Sequence, residues 1–212
     1  MSTGDRDSVR DHFREKASSF DDLYEEERLV QRITRPGLFA RRQFAVDLVR
    51  AYPGARVLDV GCGSGRVGQH MLMAGASEYV GVDFSEPMLS LAEERLRDYG
   101  SQVRLVTGDF ITADVGGPFD VVIAVGFFDY IANPGAFIHR MADLCTGSMA
   151  ASFPTWSWIK GPIRKVRYQV INNCPIYNFS EPQLRGLFEA AGFTRTEVVK
   201  QTRSGYLVRA DK

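Results

Sequence analysis

The stretch Val57-Leu58-Asp59-Val60-Gly61-Cys62-Gly63-Ser64-Gly65 decides the fold. A short, mostly apolar strand runs straight into glycines at alternate positions, and Val67, Met71 and Leu72 then return at helical spacing until Gly75. Strand, glycine turn and helix in that order open an α/β sheet whose turn meets a ligand. Glycine suits such a turn because no Cβ stands between the main-chain N–H groups and the ligand. Asp83 closes the next apolar run, 78–82, at a distance where a carboxylate can accept from both hydroxyls of a ribose. Together the two features indicate a ligand that contains a nucleoside.

The same alternation continues outward from this point. Residues 87–98 place Met88, Leu89, Leu91, Ala92 and Leu96 on the inner side of a helix. Residues 103–106, 119–125 and 149–153 read as further strands, with a helix over 133–145. Near-continuously apolar strands between helices predict a parallel sheet covered on both faces. The end departs from this pattern. Ser180-Glu181-Pro182-Gln183 is a capping box that opens a helix through Leu184, Leu187, Phe188 and Ala191, closed by Gly192. Strands over 193–199 and 206–210 follow, split by Arg203-Ser204-Gly205, a gap short enough for an antiparallel hairpin. The expectation is an α/β, doubly wound, Rossmann-like sheet of seven strands, mostly parallel with a C-terminal antiparallel hairpin.

Upstream, helices over 7–20, 22–33 and 38–51 predict an N-terminal helical cap. Residues 1–52 therefore read as a cap or lid and 53–212 as the main domain. Within the latter, 154–179 has no clear period and reads as a loop or insertion on the substrate side.

Composition narrows the function. The chain has 212 residues, 44% hydrophobic and 25% charged, which suits one domain with a real core. Lys plus Arg (26) equals Asp plus Glu (26), so no overall positive field recruits nucleic acid, and none is expected as a partner. Cys62, Cys145 and Cys174 form no CxxC pair, which suits a reducing compartment and gives no zinc-site spacing; no metal is expected. Cys174-Pro175 reads as a structural cysteine before a turn. With a charged start and no apolar run of membrane-spanning length, the expectation is a cytoplasmic protein.

Gly63-Ser64-Gly65-Arg66-Val67-Gly68 is a literal GxGxxG, the pattern of nicotinamide-dependent dehydrogenases. Alone it is a weak signal. Asp59, at the strand end before the glycines, would repel a pyrophosphate and attract an ammonium group. The physics favours a cofactor with ribose at one end, a cationic amine at the other and no phosphates.

VLDVGCGSG (57–65), YVGVDFS (79–85), GDF (108–110) and FDVVIAV (119–125) resemble, in order, the motif series of class I S-adenosylmethionine-dependent methyltransferases. FSEPQLRGLFEAAGF (179–193) is similar to that family's late helix and turn, so the resemblance runs from about residue 54 to the end. It implies S-adenosylmethionine as cofactor and methyl transfer to the oxygen or nitrogen of a small molecule. It also implies roles. The backbone around Gly61, Gly63 and Gly65 holds the cofactor's amino-acid portion, with Asp59 fixing the loop or the ammonium group. Asp83 holds the ribose and Phe84 flanks the adenine, and Met88 is a further cofactor contact. Asp109 accepts from the adenine amino group with Phe110 beside the ring, while Val125 and Gly126 lie near the methionyl part. Phe13-x-x-x-Ala17-x-x-Phe20-Asp21-x-x-Tyr24 is similar to a lead-in segment of small-molecule members, with Phe20 where a tyrosine is usual; Tyr24 is then placed to cap the cofactor.

Methyl transfer from a sulfonium chiefly needs an in-line nucleophile and exclusion of water. An oxygen or nitrogen acceptor also needs its proton removed. Many relatives carry Glu-His just after the fourth strand, where this chain has Asp129-Tyr130. Asp129 and Tyr130 are the candidate catalytic residues, Asp129 as base or acceptor-positioning group. The plainer alternative is an Asp that starts a helix near Asn133-Pro134. His12, His70 and His139 fall in expected helices, where a lone histidine is more often structural. Residues 154–168 include Trp156, Trp158, Lys160, Arg164, Lys165 and Arg167 and no acidic residue. Phe127, Trp156, Arg164 and Arg167 are the candidate substrate contacts, for an acceptor with an apolar body and a negative group. Peripheral membrane contact is the other reading of that segment. A pocket lined by Phe127, Tyr130, Phe153 and Trp156 would favour catalysis over a non-catalytic cofactor-binding protein.

Overall fold

The computed structural model describes residues 36–155, 177–201 and 205–212. The helices expected over 7–20 and 22–33, with Tyr24, lie outside the described residues, as do Trp156, Arg164, Arg167 and Cys174. The elements are α1 (Pro36–Arg50), β1 (Arg56–Val60), α2 (Arg66–Met73), β2 (Glu78–Asp83), α3 (Glu86–Leu96), β3 (Val103–Thr107), β4 (Phe119–Ala124), α4 (Gly135–Leu144), β5 (Cys145–Phe153), α5 (Glu181–Ala190), β6 (Arg195–Gln201) and β7 (Gly205–Asp211). The seven strands form one sheet in the order β3-β2-β1-β4-β5-β7-β6. β1 to β5 are parallel; β7 runs antiparallel to both β5 and β6.

Alternation along each strand divides the core in two. Leu58, Val60, Val80, Val82, Val122 and Ala124 pack with Ile138 and Met141 of α4 and Leu184 and Phe188 of α5. Val57, Tyr79, Val121 and Ile123 pack with Leu48 and Val49 of α1, Met71 of α2 and Leu89 of α3. Both faces are covered, which is why these strands read as near-continuous apolar runs. The sequence progresses outward from β1 through β2 to β3, then restarts at β4 on β1's other side. In such sheets ligands bind beyond the carboxyl ends of the strands, at this reversal. Among the described residues no helix is long and apolar enough to cross a membrane.

Two expectations need correction. The helix assigned to the cap, α1, has Ala45, Leu48 and Val49 buried against the sheet, so it is a covering layer of the main domain. β5 begins at Cys145 rather than 149. Residues 145–148 have no apolar run, but Gly147 fits where a Cβ would lie 2.5 Å from the Asp120 carbonyl oxygen. Ser148 is held there by the Tyr52 hydroxyl at 2.7 Å. The expected capping box is present at α5, where the Ser180 N–H donates to Gln183 Oε1 at 2.9 Å.

Candidate functional site

Gly61, Gly63 and Gly65 all adopt left-handed backbone, with φ of 73°, 52° and 73°. Their surroundings differ. A Cβ on Gly65 would lie 3.1 Å from the Ala92 Cβ of α3, and one on Gly61 would lie 2.7 Å from Phe127 Cδ2. A Cβ on Gly63 would meet nothing within 4 Å. Gly65 thus seats the turn on α3, Gly61 admits Phe127, and Gly63 faces open space.

The turn's amides are partnered within the protein. Gly61 and Cys62 donate to the Val82 carbonyl at 2.8 and 3.2 Å, and Gly65 to the Cys62 carbonyl at 3.1 Å. Gly63 donates to Asp83 Oδ2 at 2.9 Å. These four N–H groups are satisfied inside the protein, and a phosphate cradle needs such donors turned outward. Gly68, the third glycine of the literal GxGxxG, has a structural cause. Its Cβ would sit 2.4 Å from Tyr79 Cζ, so only glycine lets α2 lie on that ring.

Asp59 is 3% exposed, and the Tyr79 hydroxyl donates to its Oδ2 at 2.9 Å. Burial pushes the Asp59 carboxyl up to about 7, with the Tyr79 hydrogen bond opposing the rise and the charge of Asp83 adding to it. Burial also holds the Cys62 thiol well above its ordinary range. Asp59 is thus tied to β2 through Tyr79.

Asp83 is half-buried at the end of β2. Its Oδ2 accepts from Gly63 and its Oδ1 from the Ser85 N–H at 2.9 Å. Burial raises its pKa, while the amides of Ser85, Gly63 and Phe84 oppose that rise. A carboxylate has about four acceptor sites, so these amides leave room for a further donor. Phe84 is half-buried and Met88 buried in the first turn of α3. Asp109 Oδ1 accepts from the Ile111 N–H at 2.9 Å. Phe110 is 4% exposed, packed in the larger core, with the Arg140 guanidinium 5.3 Å from its ring centre. It is a core side chain rather than an open wall beside adenine.

At the carboxyl end of β4, Val125, Gly126 and Phe127 are half-buried, and the Gly126 N–H donates to Ser152 Oγ at 2.8 Å. Phe128 stacks on Phe153 with ring centres 4.5 Å apart. Phe153 is fully buried, so it belongs to the core and not to a pocket wall. Asp129 and Tyr130 lie in a short 3-10 turn, and α4 starts only at Gly135, so Asp129 does not start that helix. Instead Asp129 Oδ2 lies 3.3 Å from Arg41 Nη1, with the two side chains 14% and 11% exposed. Sequence reasoning missed Arg41, because one arginine in an Arg41-Arg42 pair looks like the solvent side of a helix. The Tyr177 N–H donates to the Asp129 carbonyl at 3.2 Å, which sets the returning end of the 154–179 segment beside this turn. His70 lies 3.0 Å from Arg42 Nη1, and His139 bridges the carbonyls of Gly135 and Ala190, joining α4 to α5.

A sheet that reverses between β1 and β4, with this turn beside Asp83, is the framework of class I S-adenosylmethionine-dependent methyltransferases. Residues 58–147 match a methyltransferase-domain family. A ubiquinone biosynthesis O-methyltransferase from an Azoarcus species is 35% identical over 104 residues, 48% of this chain and 44% of that protein. The chain thus spans less than half the length of the curated relatives it matches. A magnesium protoporphyrin IX methyltransferase from Synechocystis, solved with bound S-adenosylmethionine, is 25% identical with a TM-score of 0.75, covering 98% of this chain and 97% of that one. A 1,6-didemethyltoxoflavin N1-methyltransferase from Burkholderia thailandensis, solved with its substrate and S-adenosylhomocysteine, shares the fold at 22% identity and a TM-score of 0.71, covering 98% and 88%.

Proposed function

We propose that the protein transfers the methyl group of S-adenosylmethionine to a small-molecule acceptor. One observation carries this reading over a dinucleotide enzyme: the glycine turn directs four amides inward and stands over two carboxylates, Asp59 and Asp83. Such a turn repels phosphate and suits a ligand that is cationic beside its ribose. The cofactor, when bound, supplies an activated methyl group on a sulfonium. In this reading Gly63 and its neighbours receive the amino-acid end, Asp83 the ribose, and Phe84, Met88 and Asp109 the adenine. Gly126 lies by the reacting sulfur, and Phe127, Tyr130 and the Arg41–Asp129 pair border the acceptor. Relatives named as O-methyltransferases support oxygen as the methylated atom. An anionic group on an apolar acceptor, held by Trp156, Arg164 and Arg167, and a cytoplasmic location belong to the same proposal.

Thermal melting tests the cofactor assignment. S-adenosylhomocysteine at about 100 times its dissociation constant stabilises by about 2.7 kcal/mol, whereas NAD leaves the midpoint unmoved. A larger shift with NAD, or none with the homocysteine product, refutes the assignment. Label transfer from methyl-labelled S-adenosylmethionine to a panel of phenolic acids then tests turnover.

A further inference from the structure

Arg41 of α1 reaches the turn that follows β4. Its Nη1 lies 3.3 Å from Asp129 Oδ2, and the two side chains are 11% and 14% exposed. Gly126 shows where this pair stands. Among the described residues, apart from the chain neighbours of Gly126, only Arg41 Nη1 comes within 4 Å of a Cβ placed there, at 3.9 Å. The guanidinium therefore stands off the carboxyl end of β4, on the side where the sheet reverses and ligands bind. Phe127, next in the chain, packs its ring on Gly61 of the glycine turn. Turn, ring and ion pair thus follow one another along one edge of the sheet. Tyr177 and Phe179 join that edge: the Tyr177 N–H donates to the Asp129 carbonyl at 3.2 Å, and the Phe179 N–H to the Pro154 carbonyl at 3.1 Å. Like Phe127 and Tyr130, both are half-buried.

A cation and an anion in contact carry no net charge, and these two are largely out of water. A carboxylate brought to them faces Asp129, and an ammonium faces Arg41, so either guest leaves a net charge in a desolvated place. A hydroxyl does not: it donates to the carboxylate and accepts from the guanidinium. The half-buried rings add flat apolar walls. We propose that the Arg41–Asp129 pair receives a neutral phenolic hydroxyl as the methyl acceptor, with Asp129 as its base and Arg41 as the positioning residue that aims Asp129. The inference rests on the methyltransferase reading above. Asp129 takes the hydroxyl proton while the oxygen forms its bond to the methyl carbon, and the carbon–sulfur bond breaks with its electron pair left on sulfur. Asp129 then returns the proton to solvent.

The probes are para-hydroxyphenylacetate, its methyl ether and phenylacetate, which share a carboxylate and differ only in the hydroxyl. Calorimetry on the full chain loaded with S-adenosylhomocysteine is expected to find the phenol bound at least about tenfold more tightly than the other two. Asp129→Asn reduces that preference. Methyl label passes to the phenolic oxygen as an alkali-stable ether. Asp129→Asn lowers kcat by about a hundredfold or more, the usual contribution of a general base, with KM changed far less. Arg41→Ala lowers kcat comparably, Arg41→Lys recovers part of it, and the double variant Arg41→Ala with Asp129→Asn is no slower than either alone. All variants keep their affinity for S-adenosylhomocysteine. A merely structural arginine lowers the melting temperature without this split between kcat and KM. Arg41→Lys decides the matter if Arg41→Ala does not fold. Four results overturn the proposal: a phenol that neither binds preferentially nor accepts label, label in an alkali-labile carboxyl ester, unchanged kcat in the Arg41 variants, or their loss of S-adenosylhomocysteine affinity. Failure of S-adenosylhomocysteine to bind the unaltered protein overturns the methyltransferase reading instead.

Discussion

Tyr79→Phe removes one buried hydroxyl, which meets both Asp59 and Cys62 beside the glycine turn. The ring stays, so α2 keeps its seat at Gly68, and only the hydroxyl 2.9 Å from Asp59 Oδ2 is lost. The cost depends on pH because the acceptor titrates. Asp59 moves from an ordinary 3.8 to about 7 in the folded protein, a difference worth at most about 4 kcal/mol. A raised folded pKa means the native state holds the proton more tightly. Its contribution is therefore complete below about pH 4 and is lost as pH rises through 7. At pH 8 Asp59 is ionised, and removing its donor costs about 1.5–3 kcal/mol, the range for a hydrogen bond to a charged group. At pH 5 the carboxyl is protonated, and the loss falls to about 1 kcal/mol, as for a neutral pair. Urea denaturation at the two pH values, with unchanged m, measures both figures. Equal destabilisation at pH 5 and pH 8, or a larger effect at pH 5, refutes the reasoning.

The glycines are expected to separate by role. Gly61→Ala adds a clash with Phe127 to a left-handed backbone and lowers stability by about 2–4 kcal/mol. Gly63→Ala carries only the backbone cost, about 1–2 kcal/mol, while calorimetry finds its affinity for S-adenosylhomocysteine down more than tenfold. Asp83→Ala weakens that binding and also lowers the melting temperature, because the amides of Gly63 and Ser85 lose their acceptor. Intact stability in that variant would show that the two hydrogen bonds contribute little. Arg41→Ala and Asp129→Ala each destabilise by about 1–3 kcal/mol, and the double variant by less than their sum. Strict additivity in melting experiments would mean that the pair at 3.3 Å is not coupled.

The sheet was legible because its strands are buried on both faces, so each appears as an apolar run between turn residues and helical spacing. The hairpin was legible for a local reason, the short gap at Arg203-Ser204-Gly205. What escaped depends on partners distant in the chain. The start of β5 is set by Gly147 against Asp120 and Ser148 against Tyr52, contacts that leave no apolar pattern. Phe84 follows Asp83 at the end of β2 and Phe110 follows Asp109 just beyond β3, yet Phe110 is packed under Arg140 and Phe84 is half-buried. No local signal distinguishes them. Asp59 could be placed at the turn from sequence, but its capping by Tyr79 twenty positions away could not. Arg41 is the clearest omission, since its partner Asp129 lies 88 positions away in the chain.

A turn that closes on Val82, Cys62 and Asp83 with its own amides needs no ligand to hold its shape. Binding then orders little backbone, and association can proceed on first encounter without waiting for a loop to fold. The amide hydrogens of Gly61, Cys62, Gly63 and Gly65 should exchange slowly with deuterium even in protein stripped of ligand.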